Sequence, residues 1–194
     1  FVLDEGCLYD CLAIDEMKNL VASAYSDWDD GEFRRRLRQF SLDPRQKIAT
    51  LSRGMRMKLA LSLALSHHAD LLIMDEPTSG LDPLVRSELL DTLLEYMKTG
   101  DKCVLFSTHI VSDLERVADA LIFIDQGEII LQEDKDVLLD THRIVKGDRD
   151  KLSEQTRTLF MDLRQTAYGF EGLTDDAEAV RRQIPDALIE RASI

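Results

Sequence analysis

Hydrophobic and polar positions in the first third of the chain follow a helical period. Between residues 15 and 40, apolar side chains recur three and four positions apart in two stripes, and a segment rich in Asp, Ser and Gly at residues 26–31 separates them. The stripes consist of Met17, Leu20, Val21 and Ala24, and of Phe33, Leu37 and Phe40. The pattern predicts two helices joined by a turn, as a small helical subdomain.

Longer apolar stretches follow. Residues 52–68 are apolar around most of a helical circumference after one cationic turn, which predicts a helix buried on several sides. Residues 71–75 read as a strand buried on both faces. Asp82 and Pro83 then supply an N-cap and a first-turn proline for a helix that ends near Gly100.

The pattern then repeats, with strands predicted at residues 102–107 and 120–124 and a short helix at 112–118. Strands that alternate with helices favour an α/β fold with a parallel sheet and right-handed crossovers. Gln126 and Gly127 separate the third strand from an apolar run at 129–131, which predicts a hairpin. A helical or mixed appendage is expected for residues 150–194.

Charge narrows the classes of function. The formal net charge of -13 disfavours general nucleic-acid binding, because a polyanion would be repelled. Arg34, Arg35, Arg36 and Arg38 lie among carboxylates and read as the solvated face of a helix. No apolar run is long enough for a bilayer. We therefore expect a cytoplasmic location, or one on the inner face of a membrane.

The strand at residues 71–75 ends in two adjacent carboxylates, Asp75 and Glu76, followed by Pro77. Open α/β sheets place their chemistry at the carboxyl ends of strands. Adjacent strand residues point to opposite sides, so one carboxylate can hold a metal while the other handles a proton. On their own, such residues are equally well explained as helix caps or solvated turn residues.

Other polar groups fall at the same predicted edge. Ser52 and the amides of residues 53–55 open the buried helix and form an anion site that Arg53 reinforces. A helix cap with a surface arginine, a simple cap at Asp82 and a structural His109 explain each feature separately. Their joint occurrence, in one order and at one edge, favours phosphate chemistry.

This set resembles the nucleotide-binding subunit of an ATP-binding cassette (ABC) transporter. Leu51-Ser52-Arg53-Gly54-Met55 is similar to the family's signature loop, and residues 71–76 are similar to the Walker B strand with the catalytic glutamate. Ser79-Gly80-Leu81-Asp82 is similar to the D-loop, and His109 occupies the switch-histidine position. The match covers roughly residues 1–140 and is nearest to exporters of the bacitracin-resistance or drug-efflux kind.

The resemblance implies a P-loop NTPase-like α/β fold with a helical subdomain. It implies a partial ATPase domain at 1–140, with the helical subdomain and signature helix at about 8–68 and part of the catalytic core at 69–140. Residues 141–194 are expected to form a small C-terminal accessory region.

The resemblance also implies that two nucleotide-binding subunits, identical or different, close head to tail around two molecules of ATP. The signature residues Ser52, Arg53, Gly54 and Met55 would face the γ-phosphate held by the other subunit. Asp82 would reach across the interface. A transmembrane permease subunit is the implied partner, and nucleic acid is not.

The remaining implied roles concern Mg²⁺ and water. Asp75 would support Mg²⁺ through its water shell, Glu76 would polarise the attacking water, and His109 would contact the γ-phosphate. Asp4 stands where the family usually supplies a glutamine to the metal. An aspartate there can still bind Mg²⁺.

One family motif does not occur in the 194 residues: Gly-x-x-x-x-Gly-Lys-Ser/Thr, which holds the phosphates. The first residue is not methionine, and the opening reads as the end of a strand. We therefore expect a piece of a longer polypeptide that alone binds ATP poorly and hydrolyses it negligibly. The alternative is a non-catalytic interaction or regulatory module that donates its signature loop to a complete partner. The -13 charge disfavours a related ATPase that acts on DNA or ribosomes.

Overall fold

The computed structural model describes residues 1–2, 8–98, 100–166 and 168–192. The chain divides into two compact units, Phe1–Asp113 and Leu114–Ile194, which are described separately. The domain boundary expected near residue 140 falls within the second unit.

The first unit has a helical part and a parallel strand pair. Its helices are α1 (Ile14–Ala22), α2 (Asp30–Gln39), α3 (Arg53–Leu65) and α4 (Pro83–Met97), with a short 3-10 turn at Ile48–Thr50. Its strands are β1 (Leu71–Asp75) and β2 (Cys103–Ser107), and α5 (Val111–Val117) begins at its end. The helix predicted over residues 52–68 ends three residues early, where Ser66 caps it and His68 adopts a φ of 54°.

Helix starts in this unit follow their capping residues. Asp29 accepts a hydrogen bond from the Glu32 amide at 2.9 Å, and α2 begins at the next residue. Asp82 accepts from two amides of α4, whose first residue is the predicted Pro83. The local sequence therefore sets where these helices begin.

Strands β1 and β2 pair in parallel, with Leu71 opposite Cys103 and Asp75 opposite Ser107. Val2 forms a parallel bridge with Met74 on the other side of β1. Side chains of the helices and of β1 form one core, in which α3 is buried over most of its length. Core residues that are fully buried include Ile14, Phe33, Ile48, Leu59, Leu61, Leu72, Leu89 and Leu93.

The second unit opens with the predicted hairpin. Strands β3 (Ala120–Asp125) and β4 (Glu128–Asp134) pair antiparallel, and α6 (Lys135–Thr141) follows. Gln126 and Gly127 have φ values of 48° and 86°, which suits a tight turn matched to the strand twist. The sequence predicted both a parallel sheet and a hairpin for the third strand, and in the described residues β1 pairs with β2 in parallel and β3 pairs with β4.

The rest of the second unit is a four-stranded antiparallel sheet in the order β6-β7-β5-β8. The elements are β5 (Arg143–Gly147), a 3-10 turn (Arg149–Lys151), α7 (Glu154–Arg157), β6 (Asp162–Gln165), β7 (Phe170–Thr174), α8 (Ala177–Gln183) and β8 (Leu188–Arg191). This β-α-β-β-α-β order is a split βαβ arrangement. Val145, Phe170, Val180 and Ile184 form its separate core. No helix in the described part of the chain is long and apolar enough to span a bilayer.

Candidate functional site

The ends of β1 and β2 are joined by side-chain hydrogen bonds. Ser107 Oγ donates to Asp75 Oδ1 at 2.5 Å and accepts from the backbone N–H of Glu76 at 3.2 Å. The Ser107 carbonyl oxygen also accepts from that N–H, at 3.2 Å. Ser107 therefore fixes both predicted carboxylate residues at the carboxyl edge of the strand pair.

Glu76 and His109 meet at this edge. His109 Nδ1 lies 2.9 Å from Glu76 Oε1, although the two residues follow different strands. The Glu76 backbone is in the left-handed region, with a φ of 45°, which is uncommon for a non-glycine residue and recurs at functional sites. The strand pairing makes this juxtaposition, as the sequence predicted.

The second carboxylate oxygen of Glu76 is in an unusual environment. Oε2 is buried and has no hydrogen-bond partner in the described residues, while the His109 side chain is 72% exposed. A buried, unpaired carboxylate oxygen is costly to a folded protein. Such an oxygen is expected where a bound water or ligand supplies the missing donor.

The predicted signature residues stand at the start of α3. Ser52 is the N-cap, and its Oγ accepts a hydrogen bond from the Met55 amide at 3.3 Å. Ser52 and Arg53 are exposed, whereas Gly54 and Met55 are half-buried. The structure therefore places the predicted signature residues at a capped helix start, and anion binding there stays a prediction.

The signature residues lie against the loop that follows Glu76. A Cβ added to Gly80 would lie 2.5 Å from Arg53 Nη1, and Gly80 has a φ of 67°. A Cβ on Gly54 would lie 3.0 Å from Val85 Cγ1 at the start of α4. Both glycines therefore permit close approach between the signature segment and the Gly80–Val85 segment.

Asp82 itself has a local role in the structure. It is exposed, and its Oδ1 accepts from the amides of Leu84 at 3.1 Å and Val85 at 3.0 Å. These bonds explain its presence as a helix cap. Its suggested reach across a subunit interface stays a prediction.

Sequence reasoning missed Ser107 and a second linking group, formed by Thr78, Arg86 and Asp113. Thr78 Oγ1 donates to Asp113 Oδ2 at 2.5 Å, and Arg86 Nε donates to Asp113 Oδ1 at 2.6 Å. Asp113 reads in the sequence as an ordinary residue of a short helix. Asp113 lies four residues after His109, and this spacing is the signal from which its nearness to the site could have been inferred.

The predicted site residues therefore fall into two clusters within the first unit. Asp75, Glu76 and His109 meet at the strand edge, and Ser52 to Met55 lie beside the Gly80–Val85 segment. Asp4 lies outside the described residues. The functional roles of all these residues remain predictions.

The fold is an α/β fold of the P-loop NTPase type. A solved structure titled "Structure of ATP binding subunit of ABC transporter" superposes with a TM-score of 0.61 at 31% identity, over 72% of this chain and 61% of that one. Residues 14–112, just over half of the chain, match the family described as "AAA domain, putative AbiEii toxin, Type IV TA system".

Two curated relatives are similar to part of the chain. The ABC transporter ATP-binding protein NatA of Bacillus subtilis is 34% identical over 98 residues, which are 50% of this chain and 39% of NatA. The Nod factor export ATP-binding protein I of Bradyrhizobium diazoefficiens is 37% identical over 117 residues, 57% of this chain and 38% of that protein. The chain belongs to the family of this AAA-domain model. Its curated relatives and the superposed structure are ATP-binding proteins of ABC transporters. It spans about two fifths of the length of these relatives.

Proposed function

We propose that the polypeptide containing this chain hydrolyses ATP to drive export through a separate membrane-spanning partner. The observation that carries the proposal is the Glu76–His109 pair beside Asp75, at the edge where α/β folds bind ligands. The relatives and the superposed structure are named as ATP-binding proteins, which supports ATP as the substrate. The relatives' printed names, a transporter protein and an export protein, support transport as the purpose.

Glu76 is the proposed water-activating residue. Its unpaired, buried Oε2 would accept a hydrogen bond from the attacking water and draw the developing proton towards the carboxylate. Oε1 stays with His109 Nδ1, which fixes the carboxylate plane. Nε2 of the exposed ring is the remaining nitrogen, and it would donate to a phosphate oxygen if the ring carries a proton on both nitrogens.

The donor set fits Mg²⁺ that arrives with nucleotide. In the described residues, no group of three or more His, Cys, Asp or Glu could hold a metal ion alone. Mg²⁺ commonly keeps several waters and takes one or two carboxylates plus phosphate oxygens. Asp75, exposed and held by Ser107, suits such a single contact through water, and the ion supplies charge compensation for the phosphates.

The signature segment is proposed to act in trans. Ser52, Arg53, Gly54 and Met55 would face the phosphates held by a second nucleotide-binding subunit, identical or different, and Asp82 would lie near that interface. The exposure of Ser52 and Arg53 at the start of α3 supports this role. These 194 residues contain no phosphate-binding loop sequence, so we expect negligible hydrolysis by them alone.

The proposed partner is a transmembrane permease subunit, and the proposed location is the cytoplasm at the inner face of the cell membrane. Nucleic acid is not a proposed partner, since the -13 net charge opposes binding to a polyanion. Titration with DNA and RNA at low salt tests this exclusion, and tight binding would contradict it.

The direct test of the catalytic role is Glu76→Gln in the full-length polypeptide. The variant keeps the shape of the side chain and loses the proton acceptor, so we expect ATP turnover to fall by roughly 100-fold or more while nucleotide binding is retained. Glu171→Gln, an equal change at an exposed position of β7, is the matched control and should keep turnover. Unimpaired turnover in Glu76→Gln would refute the assignment.

A second candidate function is a non-catalytic module that donates its signature segment to a complete partner. The described signature segment has its cap and its glycine contacts in place, which favours this candidate for the chain alone. Mixing the chain with a full-length subunit tests it by the ATPase rate. An unchanged rate over a wide range of ratios counts against it.

A further inference from the structure

The carboxylate of Asp113 is a buried charge outside the predicted site. Asp113 and Thr78 are each 1% exposed. Asp113 uses both oxygens, accepting from Thr78 Oγ1 at 2.5 Å and from Arg86 Nε at 2.6 Å. Arg86 also donates, through Nη2, to Ser112 Oγ at 2.5 Å. A buried carboxylate with these partners is held in one geometry, because any movement leaves it unpaired.

Thr78, Arg86 and Asp113 belong to three different segments. Thr78 lies two residues after Glu76, and Asp113 lies four residues after His109. Arg86 lies on α4, and its amide donates to the carbonyl oxygen of Asp82 at 3.0 Å. The carboxylate therefore ties together the loop after β1, the loop after β2 and the first turn of α4.

This link complements the one made by Ser107. Ser107 joins the two loops before Glu76 and His109, at the strand ends. The Asp113 link joins the same loops after those residues. The Glu76–His109 pair is thus enclosed between two fixed cross-connections, although one member is 72% exposed and would otherwise be free to turn away.

We propose that Thr78, Arg86 and Asp113 form a positioning brace that keeps His109 Nδ1 within hydrogen-bond distance of Glu76 Oε1. Asp113 is a positioning residue, since it acts on the pair through Thr78 and through the start of α5. The expected effect of the brace on ATP turnover rests on the proposed function, whereas its effect on the position of the His109 ring does not.

Thr78→Val is the sharpest variant, because it removes one hydroxyl and keeps the shape of the side chain. Thr78→Ser keeps the hydroxyl and should restore wild-type behaviour. Thr92→Val is the matched control: Thr92 is also buried, and its hydroxyl donates to the Glu88 carbonyl oxygen at 2.8 Å within α4. All variants are made in the full-length polypeptide.

The first readout needs no activity. With isotope-labelled histidine and no nucleotide, NMR shifts of the His109 ring should change in Thr78→Val and stay at the wild-type values in Thr78→Ser and Thr92→Val. A merely structural loss would act equally in Thr78→Val and Thr92→Val. Equal ring shifts in those two variants, or no change in Thr78→Val, overturn the brace.

The second readout is kinetic. We expect Thr78→Val to lower kcat by roughly 10- to 100-fold, because small misplacements of catalytic groups have effects of that size, with KM for ATP unchanged. In a His109→Ala background, Thr78→Val should add no further loss. An undiminished loss in that background overturns the proposal. If the wild type hydrolyses no ATP, the proposed function is refuted. The NMR shifts of the His109 ring then test the brace on their own.

Discussion

The two compact units of the chain treat polar side chains in opposite ways. In Phe1–Asp113, Asp113 is buried and accepts hydrogen bonds from Thr78 and Arg86. Glu76 has a buried carboxylate oxygen with no hydrogen-bond partner in the described residues. In the described part of Leu114–Ile194, the buried polar residues are Thr156 and Thr174, and ion pairs such as Lys146–Glu190 are exposed. A charged group buried away from water is costly to a folded protein, and such groups cluster at functional sites. We therefore expect the chemistry in the first unit, where the buried carboxylate groups lie.

One glycine with a positive φ in each unit, Gly80 and Gly127, shows a difference in packing. Gly80 and Gly127 have φ values of 67° and 86°, but only Gly80 has a side chain, that of Arg53, pressed against it. Gly127 forms an open hairpin turn with no atom within 4 Å of an added Cβ. The backbone conformation calls for glycine at both positions, and only at Gly80 does a neighbouring side chain also exclude a Cβ.

The largest loss of unfolding free energy is expected from substitutions in the two cores. Leu89→Ala in the first unit and Ile184→Ala in the second each remove a fully buried side chain, and each should cost about 2–5 kcal/mol of unfolding free energy. Trp28, the one tryptophan, reports the first change by fluorescence, and amide exchange at Val145 reports the second. A cost below about 1 kcal/mol at either site would mean that this core is not closely packed.

The next effect compares the glycines. Gly80→Ala and Gly127→Ala both place a Cβ on a left-handed backbone, at about 1–2 kcal/mol each. Gly80→Ala must also displace Arg53, so it should destabilise the protein more and lower the ATP turnover of the full-length polypeptide. Denaturant unfolding and turnover measure the two consequences. Equal costs at both positions would contradict the close approach of Arg53.

Sequence reasoning predicted the helix starts of the first unit because their information is local, and it predicted the strand pair from the alternation of strands and helices. Asp29, Ser52 and Asp82 determine helix starts from within three residues, and the pairing of β1 with β2 brings Glu76 to His109. The Asp113 contacts and the order β6-β7-β5-β8 depend on residues far apart in sequence. Such pairings leave no periodic signal.

A smaller effect concerns charge within the first unit. Burial alone raises the pKa of Glu32, but hydrogen bonds from Arg35 and Arg36 outweigh it and hold this pKa below its ordinary value of 4.5. A depressed pKa stabilises the folded state above the ordinary value, and the stabilisation is lost as pH falls through the folded value. Glu32→Gln should therefore destabilise the protein at pH 7, and by less below about pH 4.5. A difference in unfolding free energy that does not shrink on acidification would contradict this.

The smallest effect belongs to the exposed charges of the second unit. The hydrogen bond from Lys146 to Glu190, at 2.7 Å, holds the pKa of Lys146 above its ordinary value of 10.5. A raised pKa stabilises the folded state fully below the ordinary value, and the contribution is lost as pH rises through the folded value. Lys146→Gln should therefore lower stability slightly at pH 8, and salt should remove most of the difference because exposed pairs are screened. Unfolding in urea at low and high salt measures it. A loss larger than that of Glu32→Gln would contradict the contrast between the units, since it would place the stronger charge interaction in the second unit.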